Sequence, residues 1–99
     1  MKILNGTITD SDITIEVSPY STHVLWIDGT FSGETVGVKP EKSGGSYGNS
    51  IYDFTESEGR FIFIPSGRIK LSPSSTVSVT YTLIDQDQPD IPNVQPKEV

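Results

Sequence analysis

This chain has no cysteine. That excludes a disulfide framework and any thiolate metal site, and it fits a reducing compartment. Long hydrophobic runs are missing too: no apolar stretch approaches the roughly 20 residues of a membrane-spanning helix. After Met1 and Lys2 only Ile3 and Leu4 are apolar before Asn5-Gly6. No secretory leader is therefore expected, and synthesis in a host cytoplasm is. Asn5-Gly6-Thr7 has the form of a glycosylation acceptor, but without a leader Asn-Gly reads as a turn. Positive charge is scarce, with 7 Lys and Arg against 13 Asp and Glu and a formal net charge of −6. Nucleic acid needs a basic patch and anionic membranes repel an acidic chain, so neither is an expected partner. Amphipathic helical periodicity is absent throughout.

Short alternating runs of Val, Ile, Phe, Tyr and Thr are present instead, cut every few residues by Gly, Pro, Ser and Asp. In Thr76 to Leu83 the period is two: Val77, Val79, Tyr81 and Leu83 face a core, and Ser78, Thr80 and Thr82 face water. Similar strands are expected at Lys2–Thr9, Ile13–Val17, Ile51–Phe54, Arg60–Ile64 and Arg68–Leu71. In Arg60–Ile64, Phe61 and Phe63 share one face and Ile62 and Ile64 the other. His23 to Lys39 reads as a hairpin turning at Ser32-Gly33, with Phe31 opposite Glu34 and Gly29 opposite Val36. Leu25, Ile27, Phe31, Val36 and Val38 then share a face, and Val24 and Trp26 point to the other side. A turn at Asp28-Gly29 is the competing register. Pro40 to Asn49 reads as a mobile glycine-rich loop.

About eight short strands with tight turns in 99 residues give one all-β domain. The expected architecture is a small antiparallel β-sandwich or jelly-roll-like body over residues 1–84. Residues 85–99 hold three of the seven prolines and several acids, and they read as an extended or disordered C-terminal arm.

No side chain stands out as catalytic. His23 reads as an ordinary surface or half-buried histidine, since no nucleophile motif accompanies it. Asp10 and Asp12 read as turn formers. Counted from Asp85, the calcium-loop template meets Pro89, Asp90 and Pro96 where an oxygen ligand, Gly and Glu belong. Glu16, Glu34, Asp53, Glu56 and Glu58 read as solvated charges rather than a glycosidase pair. Ser43 to Gly48 lacks the Gly-Lys-Ser/Thr ending of a phosphate loop. Tyr20, Trp26, Tyr47 and Tyr52 could form a sugar-stacking platform. No cofactor or metal is expected. Apolar residues on both faces of Val24–Ile27 and Arg60–Ile64 point to a protein interface, with Val24, Trp26, Phe61, Phe63 and Tyr47 as its candidates.

The segment from Trp26-Ile27-Asp28-Gly29-Thr30-Phe31 through Ser32-Gly33-Glu34-Thr35-Val36-Gly37-Val38, with the glycine-rich loop, Gly67-Arg68-Ile69-Lys70-Leu71 and Thr76-Val77-Ser78-Val79, resembles small β-sandwich structural proteins of tailed bacteriophages. In those, a strand ending in Gly-Thr-Phe turns through Gly into a Thr-Val strand, and an Arg-Ile-Lys-Leu-like strand precedes the last. The likeness spans residues 24–84; the Trp usual near the loop is replaced here by Tyr47 or Tyr52. It implies a virion structural protein without catalytic residues, first a capsid decoration (cement) protein. Its partners would be the major capsid protein or another virion protein and further copies of itself, a trimer fitting capsid three-fold positions. A tail or fibre adaptor and a small carbohydrate-binding module are the alternatives.

Overall fold

The computed structural model describes residues 1–42 and 44–85. Eight strands follow in chain order: β1 (Lys2–Ile8), β2 (Ile13–Glu16), β3 (Ser21–Thr30), β4 (Val36–Pro40), β5 (Tyr52–Phe54), β6 (Glu58–Ile64), β7 (Arg68–Pro73) and β8 (Ser78–Asp85). They form two four-stranded antiparallel sheets, ordered β1-β8-β3-β6 and β2-β7-β4-β5. The protein is a small all-β sandwich. Its winding is simple to state. β4 pairs with β5, β3 with β6, β2 with β7 and β1 with β8, as in one long hairpin closed at the β4–β5 connection. Rolling that hairpin up adds the β3–β8 and β4–β7 pairs. This is the double-sheet jelly-roll arrangement.

Alternation explains the core. Leu25 and Ile27 of β3, Ile62 and Ile64 of β6, and Val79 and Leu83 of β8 point inward from the first sheet. Ile15, Ile69, Leu71, Val36, Val38 and Phe54 meet them from the second. Tyr81 is half-buried against the same cluster, and its ring lies over Gly6.

The expected hairpin over His23–Lys39 does not form. The turn itself does: Ser32 and Gly33 take positive φ, and the Glu34 N–H donates to the Phe31 carbonyl at 2.9 Å. But Phe31 leaves the strand and drops into the core, and the chain crosses to the other sheet. There the Thr35 N–H donates to the Ser74 hydroxyl and the Ser74 N–H to the Thr35 carbonyl. Leu25, Ile27, Phe31, Val36 and Val38 therefore do share one core, facing each other across it rather than lying side by side. Gly29 opposes Val79, not Val36. It has φ near 141°, and a β-carbon there would stand 2.3 Å from the Ser78 carbonyl oxygen, so only glycine permits this approach.

Two boundaries also move. The described part of the glycine-rich loop is folded back on itself: Glu41 bridges Tyr47, and the Lys42 N–H donates to the Ser46 carbonyl at 2.6 Å. Asp85 is not the first residue of an arm but the last of β8, and it is fully buried. The rest of the expected arm, residues 86–99, lies outside the described residues.

Candidate interaction surface

The strand registers place an apolar row across the outer face of the first sheet. Ile3 of β1 opposes Ile84 of β8, Ile84 opposes Val24 of β3, and Val24 opposes Phe61 of β6. One row therefore crosses all four strands. Phe63 stands beside it opposite Thr22, and Trp26 on its other side opposite Gly59 and Thr82. Exposure is high for large apolar groups: 77% for Phe61, 54% for Phe63, 53% for Ile3 and 52% for Trp26. A β-carbon at Gly59 would lie 2.5 Å from the Trp26 ring, so the indole rests on glycine backbone. An edge-strand glycine covered by a cross-strand aromatic is a recurrent sheet device. The remaining outward positions are neutral, Asn5, Thr7, Thr22, Ser78, Thr80 and Thr82, except for Asp28 near one end.

The second sheet is the opposite. Its outward positions hold Glu16, Arg68, Lys70, Lys39 and Asp53. Arg68 reaches Glu16 at 3.2 Å and Glu41 at 3.5 Å, and Lys70 reaches Asp12 at 3.9 Å. The hydrogen bond to Glu16, with the charge of Glu41, raises the Arg68 pKa. The Lys70 ammonium sits 4.2 Å from the centre of the Tyr47 ring.

Of the five interface candidates, Val24, Trp26, Phe61 and Phe63 thus come together, and Tyr47 lies on the other sheet. Ile3 and Ile84 join the four. Their place was readable only in part: period two turns Ile84 away from the inward Leu83, but nothing in the sequence pairs it with Ile3 and Val24. The Tyr20, Trp26, Tyr47 and Tyr52 platform is not assembled. Tyr20 is in the β2–β3 turn and Tyr52 on the second sheet.

At the open lateral edge, β5 of one sheet faces β6 of the other. A shallow cleft of about 230 Å³ lies there, lined by Ile51, Tyr52, Arg60, Phe61, Ile62 and Phe63. The Tyr52 hydroxyl donates to Glu58 at 2.6 Å, Arg60 Nε donates to Glu58 at 3.0 Å, and the Arg60 guanidinium covers the Tyr52 ring at 4.6 Å. The hydrogen bond from Tyr52, helped by Arg60, holds the Glu58 carboxyl below its ordinary value of 4.5; the same bond raises the Tyr52 phenol. A carboxyl depressed on folding stabilises the fold above its unfolded pKa, and that support is lost as pH falls through the folded one. Glu58→Gln should therefore lower the urea midpoint at neutral pH, with the gap to the parent closing below about pH 4.5. A gap independent of pH would remove this account. The group is at the surface, so the effect is small.

Most of the polar candidates are occupied, Glu56 excepted. Asp10 accepts from Thr9 and Ser11 in its turn, Asp12 from Ser72, Asp53 from Ser50 and Glu34 from Ser74. Among the described residues no three His, Asp or Glu side chains gather as a metal ion requires. His23 is neither on the surface nor half-buried but fully enclosed, its Nδ1 3.4 Å from Asp85. The inward alternation of β3, through Leu25 and Ile27, carries His23 into the core with them.

No protein-family model, no curated protein and no solved structure matches this chain.

Proposed function

We propose that this protein is a non-enzymatic structural protein that joins two unlike surfaces, and that its place is the shell of a phage particle, as a capsid decoration protein. The observation that carries the reading is the division of its outer surface. One sheet presents an apolar, nearly uncharged face; the other presents a net of ion pairs. A connecting piece needs two such faces, and an enzyme needs a cleft with available acids, bases or nucleophiles. Here the lone histidine is sealed in the core. The phage setting rests on the resemblance of residues 24–84. Many copies, each held modestly, would clamp neighbouring shell subunits by avidity. Docking through the charged sheet would make association sensitive to salt and dissociation much less so.

The test is to add the protein to purified shells that lack it. Binding at a fixed number per particle, a raised disruption temperature and slower association at high salt are the expected results. Absence from purified heads, or a few copies at a tail tip, would overturn decoration and leave the tail or fibre adaptor. One observation favours a second reading, a carbohydrate-binding module: Trp26, Phe61 and Phe63 are exposed on one sheet face, and sugar rings stack on such faces. Glycan-array binding by a monomeric protein would select it.

A further inference from the structure

We infer that two copies of this chain pack face to face through the outer surface of the β1-β8-β3-β6 sheet, across a two-fold axis. The first reason is charge. The chain carries a net −6, yet of its 13 acids only Asp28 occupies an outward position on these strands, near one end. Two such faces can meet without stacking like charges, and a strongly basic or acidic partner finds nothing there to pair with.

The second reason is pattern. The Ile3–Ile84–Val24–Phe61 row spans the whole sheet in register, with Trp26 and Phe63 on its flanks. Thr7, Thr22, Thr80 and Thr82 fill most of the remaining positions, and in the dimer their methyl groups pack while their hydroxyls find partners. Sheets of this kind stack about 10 Å apart with their strands roughly 30° from aligned. Within the monomer the two sheets already meet through an apolar core, and the dimer repeats a face-to-face sheet contact on the outside.

The third reason is size. Four strands about 4.8 Å apart and seven residues at about 3.3 Å outline roughly 440 Å² of flat footprint per copy, or about 900 Å² for two. Relief from three protruding aromatic rings carries the buried area toward the ~1,200 Å² at which stable interfaces begin. A flat patch that complements itself closes as an isologous dimer; a trimer needs two different patches.

The other occupant within the chain is the segment 86–99, which follows Ile84 and Asp85. Its aliphatic residues are Ile91, Val94 and Val99, preceded by Asp87 and Asp90 and separated by Pro92, Pro96, Lys97 and Glu98 among others. Three spaced aliphatic side chains cannot cover a four-strand row and two large rings, so a second copy fits better. The inference does not rest on the shell reading: a dimer can form whether or not shells bind it, and shells can bind a monomer.

The experiment uses the full chain in sedimentation equilibrium from about 1 to 100 µM, with the emission of Trp26 as a second reading. Trp26 is the only tryptophan, so its spectrum reports this face alone. The expected result is a dimer, with emission moving to shorter wavelength and iodide quenching falling as concentration rises. Phe61→Glu should weaken association at least tenfold with unchanged circular dichroism, because that side chain is already in water in the monomer. Ile3→Lys serves as a second variant on another strand. Lys39→Glu, on the opposite sheet, should leave association unchanged. A monomer with quenchable Trp26 at 100 µM would overturn the proposal. So would a monomer whose Trp26 is shielded at every concentration, which would put the chain's own C-terminal segment on the face. A trimer, or a dimer indifferent to Phe61→Glu and Ile3→Lys, would overturn it equally.

Discussion

Asp85→Ala is expected to cost about 1–3 kcal/mol of stability, the range for leaving a buried hydrogen-bonding group unsatisfied. Asp85 and His23 are both wholly out of water. The carboxylate accepts the Ser18 N–H at 2.8 Å and faces His23 Nδ1 at 3.4 Å. His23 Nε2 lies 3.0 Å from the Ser18 carbonyl oxygen, which can only accept, so Nε2 is the donor and Nδ1 is left turned to the carboxylate. Alanine would leave the Ser18 N–H without its acceptor in an apolar interior, whereas Nδ1 has no hydrogen-bond partner in the parent either. Asparagine keeps an acceptor for Ser18 and offers an N–H toward Nδ1. Asp85→Asn should therefore retain most of the stability that Asp85→Ala loses. Urea unfolding of the two variants beside the parent measures this. An alanine variant as stable as the parent would show that the pair contributes nothing.

Phe54→Ala is expected to be more severe, about 3–5 kcal/mol. Phe54 is the largest fully buried side chain, and it packs edge to face on Tyr52 with ring centres 4.9 Å apart. It anchors the three-residue β5, which pairs only with β4 and closes one side of the second sheet. Domains of this size have roughly 5–15 kcal/mol in all, so the melting midpoint should fall by more than ~10 °C. Phe61→Ala is the control. Phe61 is 77% exposed in the monomer, so its removal should change the unfolding of dilute protein by less than about 0.5 kcal/mol. Comparable losses for the two would mean that the inner and outer faces are assigned wrongly.

Particular residues show how far the sequence reaches. The alternation in Arg60–Ile64 separated Phe61 and Phe63 from Ile62 and Ile64, and the structure keeps that separation. Arg68–Leu71 turned Ile69 and Leu71 inward and both cations outward, as observed. Ser32-Gly33 was legible as a turn because a turn is local. The hairpin read from it was not: a two-residue turn between apolar runs looks the same whether the second run pairs beside the first or crosses above it. The interface candidates fared likewise. Val24, Trp26, Phe61 and Phe63 belong to strands that alternation could orient, whereas Tyr47 sits in a loop, where no period says which sheet it will lie on. His23 and Asp85 were missed as a pair because 62 positions of chain separate them and each is unremarkable alone.

By itself, then, the sequence determined the class, the strands, their turns and the inward face of most of them, since side-chain period and turn chemistry act over a few residues. It also excluded disulfides. Only the tertiary structure decided which strands pair. Each strand finds its partner at a mirrored distance from the β4–β5 connection, and no local signal encodes that distance. The same rolling laid Ile3, Ile84, Val24 and Phe61 in one row, sent the charged strands to the opposite face and closed His23 against Asp85. Those contacts join residues far apart in the chain, and they exist only once a common core has brought the strands into register.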